Sequence, residues 1–283
     1  MTRRGRHDPE GVSAGGHDGD VLRSFTAQAG TLGASAAMNA GRALDVLLGF
    51  AEDAGGTDWV EVACGPGILS RRLAAGGDRR VVGVDLTPAM VEQARRHAAA
   101  DGLANAHFVV GDAYALPLSG RRADGVVTRF SLHHFAVPIL GVREMARVVR
   151  PGGAVVIADH VCTDERAAAW HQSLERLRDP AHWASLTAPE VRALGREAGL
   201  ELTDERLVAF GDDFEDWWAR GGQGDVGRQL AETLLAGRPA GVPGFETRSV
   251  RGRRALRFTH HVTCWRRPRD ERGQAGGGGA GGR

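Results

Sequence analysis

The strongest constraint on the fold is an alternation along the chain. Short valine-rich runs at 58–63, 80–85, 106–110, 125–130 and 153–159 are separated by segments of helical period at 68–75, 88–100 and 142–150. Strand then helix, repeated, predicts an α/β protein with a parallel sheet covered on both faces. Pro88 after Thr87 suits a first helical turn, and Pro151-Gly152-Gly153 stops a helix near Arg150. Beyond Asp159 the pattern predicts helices at 164–178, 188–198 and 225–236, a strand at 200–209, a tryptophan-bearing acidic segment at 212–220, and a last strand at 255–265. Residues 22–50 read as one or two amphipathic helices. The polar, glycine-rich ends, 1–21 and 268–283, lack the apolar content that offsets ordering entropy, so they are expected to be disordered tails around one domain at 22–267.

Chemistry concentrates at the expected strand ends. Glu61-Val62-Ala63-Cys64-Gly65-Pro66-Gly67 closes one strand and opens a helix; its glycines allow a tight turn and close approach of a ligand to the backbone. Asp85 ends the next strand, where nucleotide-binding α/β folds meet ribose hydroxyls, and Asp112 follows the third. A pyrophosphate-binding G-x-G-x-x-G would need glycine at position 70, which is Ser70.

All 36 lysine-plus-arginine positions are arginine, which excludes a lysine Schiff base and a P-loop. Cys64, Cys162 and Cys264 are scattered, so neither a disulfide framework nor a cysteine-rich zinc site is expected, and a reducing cytoplasm is. No run of 18 apolar residues and no signal-peptide core is present, so no membrane span is expected. The formal charge is +1, but the basic excess is local: residues 248–283 hold ten arginines against Asp270 and Glu271.

These residues carry a resemblance. The stretch from 58 to 160, and more loosely 22–265, resembles the class I S-adenosylmethionine-dependent methyltransferase family in its small-molecule, type 11 branch. In that family an acidic residue precedes a G-x-G, a second acid meets the ribose and a third lies beside the adenine, which here match Glu61 with Gly65 and Gly67, then Asp85, then Asp112. The resemblance implies S-adenosyl-L-methionine as cofactor and extends its contacts to Ala63, Cys64, Leu86, Met90, Ala113 and Arg129. It also implies a doubly wound, Rossmann-like sheet of seven strands in the order 3-2-1-4-5-7-6, with strand 7 antiparallel and formed by the last predicted strand. Phe25 lies in a segment resembling the family's N-terminal lid, as a lid contact or as helix packing.

If methyl transfer needs a base, histidine near neutral pKa is suited to it. His133 and His134, in the loop after the fourth strand, and His160, just past the fifth, are the candidates. Adjacent histidines are expected to diverge, one toward cofactor or substrate and one toward packing or solvent. His171, Glu175 and Arg178 share one helical face, either a substrate-facing stripe or a solvated, salt-bridged one.

The expected function is methyl transfer to oxygen, carbon or nitrogen of a small organic acceptor in bacterial secondary metabolism, by a monomer or homodimer. A quinone-ring C-methyltransferase and a cofactor-dependent, non-methylating cyclase or decarboxylase are the alternatives. The basic C-terminal part raises an RNA-directed reading, but the aromatic interleaving that RNA binders use is sparse there, and nucleic acid is not the expected partner.

Overall fold

The computed structural model describes residues 14–33, 39, 41–238, 246–250 and 252–270. Two helices, α1 (Ala14–Leu32) and α2 (Arg42–Ala54), precede an alternating series: β1 (Asp58–Val62), α3 (Ile68–Ala75), β2 (Arg80–Asp85), α4 (Pro88–Ala100), β3 (Ala106–Val110), β4 (Ala123–Arg129), α5 (Pro138–Val148) and β5 (Val149–Cys162). There follow α6 (Glu165–Arg178), β6 (Leu186–Thr187), α7 (Ala188–Glu197), β7 (Glu201–Asp213), α8 (Phe214–Ala219), α9 (Gly224–Ala236), β8 (Glu246–Val250) and β9 (Arg253–Arg266).

The sheet runs β3-β2-β1-β4-β5-β9-β7, with β1 to β5 parallel and β9 antiparallel between β5 and β7. Counting only the long strands, this is the order the family resemblance implies. The sheet is larger than the expected seven strands, because β6 pairs with β5 and β8 with β9. Both β5 and β9 are 14 residues long and overrun their neighbours, and the short strands cover edges that would otherwise be unpaired.

Period-two side-chain alternation divides the core. Trp59, Val127, Val156 and Ala158 face α2, α3 and α4, whereas Val60, Val126, Val155 and Ile157 face α5 with Val142 and Met145. A satellite cluster of Leu174, Phe214, Trp217, Trp218 and Phe258 joins α6 and α8 to β9. The acidic tryptophan segment is thus a short helix, capped by Asp213, whose side chain accepts from the backbone N–H groups of Glu215 and Asp216.

Three sequence expectations move. α1 starts at Ala14, so residues 14–21 belong to a helix rather than to a tail; the rest of the expected N-terminal tail and residues 271–283 lie outside the described residues. Strand β5 begins at Val149, because Val149 pairs with Ala123 in the sheet instead of extending the helix. Much of the basic C-terminal stretch is engaged by its own chain: Arg267 Nη1 donates to the carbonyls of Ala146, Arg147 and Val149 at the end of α5, Arg266 donates to Gly152, and Arg253 pairs with Asp213. Among the described residues no helix is long and apolar enough to cross a membrane.

Candidate active site

A cavity opens at the C-terminal ends of β1, β2, β4 and β5, where a doubly wound sheet places its ligands. Its first end is acidic. Ala63 (φ 54°) and Gly65 (φ 51°) take the chain out of β1 in left-handed conformations, and a Cβ at Gly65 would meet no protein atom within 4 Å. The turn is held from the next strand: Asp85 Oδ2 accepts from Gly65 N–H at 2.7 Å and Oδ1 accepts from Thr87 N–H at 2.9 Å. Asp112 Oδ1 accepts from Tyr114 N–H at 2.8 Å. Asp18, from α1, joins these carboxylates in the lining.

Glu61 is the most buried of the set. Its Oε2 accepts from both the N–H and the hydroxyl of Ser70, the residue that interrupts the pyrophosphate pattern. Burial pushes its carboxyl up to about 8, although Ser70 and Arg129 pull against that rise. Arg129, over the Phe130 ring, is brought down to about 10 by burial, with Glu61 opposing.

Gly67 and Met90 do not line the cavity, whereas Glu61, Ala63, Cys64, Gly65, Asp85, Leu86, Asp112, Ala113 and Arg129 do. Gly67 has φ 77°, and a Cβ there would stand 2.9 Å from Ala94 and Phe108, so it serves packing of the turn against α4 and β3. Met90 is fully buried in α4.

The other end is a wall of imidazoles. A short 3₁₀ turn, Leu132–His134, brings both adjacent histidines to the cavity instead of splaying them, with rings 4.1 Å apart. His133 Nδ1–H donates to Asp159 Oδ1 at 2.7 Å, and Asp159 also accepts from His160 N–H. His134 Nδ1 lies 2.9 Å from the Ala181 carbonyl; a carbonyl only accepts, so that nitrogen carries the proton and Nε2 is bare. His160 completes the predicted trio, its ring 4.2 Å from that of His133.

Further groups arrive from distant segments. His182 stacks on His133 and His160, and His260 from β9 lies against Phe130. The face of His171, Glu175 and Arg178 is interior: Glu175 is 2% exposed and paired with Arg178 at 2.8 Å. Burial alone would raise Glu175, but Arg178 and the surrounding imidazoles hold it well below the usual carboxylate range. Burial and neighbouring imidazoles keep His133 and His182 well below theirs, and burial takes His160 down to about 4 against the pull of Asp159. Phe25 lines the cavity edge-on to His134 at 4.9 Å.

Burial pushes the Cys64 thiol well above its usual range and that of Cys162 up to about 12, so neither is a nucleophile at neutral pH. Asp18, Asp159, His182 and His260 were not among the sequence candidates. His182 had a signal, the pattern of polar residues from 171 to 182; His260 sits in a strand that reads as core.

A sequence profile described as a methyltransferase domain matches residues 60–153, from β1 through the glycines of β5. The chain is 32% identical over 142 residues to the uncharacterized methyltransferase YcgJ of Bacillus subtilis, covering 50% of this chain and 56% of that one. The YcgJ crystal structure superposes with a TM-score of 0.74 at 24% identity, over 81% of this chain and 98% of YcgJ. The chain belongs to the class I S-adenosylmethionine-dependent methyltransferase family.

The chain is also 30% identical to the uncharacterized protein YafE of Escherichia coli over 50% of this chain and 68% of YafE. The 27-O-demethylrifamycin SV methyltransferase of Amycolatopsis mediterranei is 32% identical over 56% of this chain and 60% of its own length. The chain thus spans between about half and two thirds of the length of these curated relatives.

Proposed function

We propose that the protein transfers a methyl group from S-adenosylmethionine to an oxygen of a small organic acceptor, with carbon and nitrogen acceptors served by the same geometry. The observation that carries this reading is one cavity with two unlike ends, an acidic glycine turn and a wall of histidines. The residues fit the cofactor: the space over Gly65 is open, and Asp18, Asp85 and Asp112 offer carboxylates to a ligand that bears a sulfonium and an ammonium. When bound, the cofactor supplies an electrophilic methyl carbon on a good leaving group.

The protein's own part is positioning and proton handling. Asp85 uses one lone pair of each oxygen on Gly65 and Thr87, leaving others for ribose hydroxyls. Asp112 stands one strand further along, where the adenine end would lie. Glu61, largely protonated near neutral pH, gains from ionising when a cation arrives beside it. On the acceptor side His134, with Nδ1–H fixed on Ala181, presents a bare Nε2 that can take the acceptor's proton. The α1 helix closes this end through Phe25.

An oxygen acceptor from secondary metabolism is supported by the rifamycin-directed relative, whose name specifies a 27-O position. The test is calorimetric titration of the cofactor followed by incubation with a panel of phenols and macrocyclic alcohols, reading S-adenosylhomocysteine. Cofactor binding with turnover on at least one hydroxylated acceptor is expected. Saturable cofactor binding with product formed and no demethylated cofactor would overturn methyl transfer.

A further inference from the structure

The histidine wall holds more imidazole than a single proton transfer uses. We propose that His133, His160 and His182 bind a divalent transition-metal ion of the zinc class at the acceptor end of the cavity. One ligand atom from each of the three lies within 4.8 Å of the other two. An ion about 2.0–2.1 Å from each nitrogen needs the nitrogens roughly 3.4 Å apart, so the three rings, now partly stacked, would turn and close in on it. The three residues come from the turn after β4, the end of β5 and the loop after α6, so the fold, rather than local sequence, assembles them.

Hydrogen bonding prepares two of the rings. His133 commits Nδ1–H to the buried carboxylate of Asp159, which leaves Nε2 bare; a carboxylate behind an imidazole is the usual outer support of a metal-ligating histidine. His160 Nε2 and His182 Nδ1 are buried with no hydrogen-bond partner. An unpaired buried ring nitrogen is costly, and an ion would satisfy both at once. The other nitrogen of His182 lies 3.2 Å from Ser185 Oγ, a second outer tie.

A competing trio, His160, His171 and Glu175, shares His160 and meets the same distance limit. Its carboxylate is already paired with Arg178 at 2.8 Å, and His171 Nδ1 is on Ser185, so the first trio is the better donor set. Three imidazoles without thiolate select Zn²⁺, Co²⁺ or Ni²⁺ over the oxygen-seeking Mg²⁺ and Ca²⁺. His133 and His160 line the cavity, which leaves a coordination position open toward the acceptor. Resting on the methyl-transfer reading above, that position would take the acceptor hydroxyl and make it more acidic. His134 is outside the trio and stays free to receive the proton.

The experiment uses the full chain without an affinity tag, stripped with a chelator and titrated with Co²⁺ by calorimetry and visible absorption, then competed with Zn²⁺. One Co²⁺ per chain, with intense d–d bands displaced by Zn²⁺, is expected. Asp159→Asn should weaken binding about 10- to 100-fold and His182→Ala more than that, while His171→Ala leaves it unchanged. His160→Asn serves as a second ligand variant, and circular dichroism with cofactor titration reports whether each variant is folded. Absence of saturable Co²⁺ binding by the wild type overturns the site, as does wild-type affinity in both ligand variants. Loss of binding in His171→Ala with His182→Ala unaffected overturns it in favour of the competing trio. Co²⁺ binding without methyl transfer would leave the metal site standing and remove the transferase reading; cofactor turnover without Co²⁺ binding would do the reverse.

Discussion

The two ends of the cavity are built in different ways. The acidic end comes from consecutive strand ends between Glu61 and Asp112, and its carboxylates bond mainly to backbone N–H groups within a few positions of the neighbouring strand end. The histidine end draws on residues 133, 134, 160, 182 and 260, and apart from the Ala181 carbonyl behind His134 the ring partners named above are other side chains. The first end is a property of the sheet's local geometry and the second a property of the completed fold. Substitutions should therefore separate cleanly, cofactor affinity following the first end and turnover the second.

The largest effect is expected at the histidine end. His134→Ala should lower kcat by about 10² to 10⁴, the usual range for loss of a positioned base, with cofactor affinity unchanged by calorimetry. A matching loss of cofactor affinity would mean that the two ends are not separable. Next is the acid sensitivity of the ion-free fold. Burial holds the folded pKa of His160 at about 4 against 6.5 for the ordinary group, so the unfolded chain takes up the proton first. Stability is present above about 6.5 and is lost as pH falls toward about 4; at about 1.4 kcal/mol per unit, His160 alone accounts for roughly 3 kcal/mol. Urea titrations between pH 7 and 4 measure this, and a midpoint independent of pH would contradict the burial of neutral imidazoles.

At the acidic end, Asp85→Ala should weaken cofactor binding by about 1.5 to 3 kcal/mol, the loss for a hydrogen bond to a charged group, while kcat at saturating cofactor changes little. Unchanged affinity in calorimetry would remove the ribose assignment. The smallest effect concerns Glu61. With its carboxyl raised to about 8 in the free protein, a cationic ligand releases its proton, so affinity should rise between pH 6.5 and 8 and binding heats should depend on buffer ionisation enthalpy. Both dependences should vanish in Glu61→Gln.

The same contrast explains what could be read from the chain. Valine runs, Gly65 and the acids at 61, 85 and 112 have fixed spacings because a parallel strand and its helix have fixed lengths, so the parallel α/β class and the acidic end were legible, while the strand order came with the family resemblance. Gly67 was recognised as special, but whether a glycine faces a ligand or a neighbouring phenyl ring depends on α4 and β3, which spacing does not report. His133 and His134 were expected to diverge, and a 3₁₀ turn instead of an extended loop turned both inward. His260 carries no local signal, since a histidine on a buried strand looks like any core position until the register of β9 against β5 places it opposite His160. Asp18 was assigned to a tail because polar, glycine-rich composition outweighed its helical contacts.

Helix α1 packs along α4, and its side chains tie it to the histidine side of the cavity: His17 Nε2–H donates to the His134 carbonyl, Ser24 donates to Asp179, and Phe25 rests on His134. Each of these polar contacts is worth about 1 kcal/mol, so together they orient the helix over the cavity. Its hinge of attachment lies on the backbone of the proposed base. An acceptor that shifts His134 would therefore disturb the seating of this helix as well, which links the shape of the molecule in the cavity to the placement of α1.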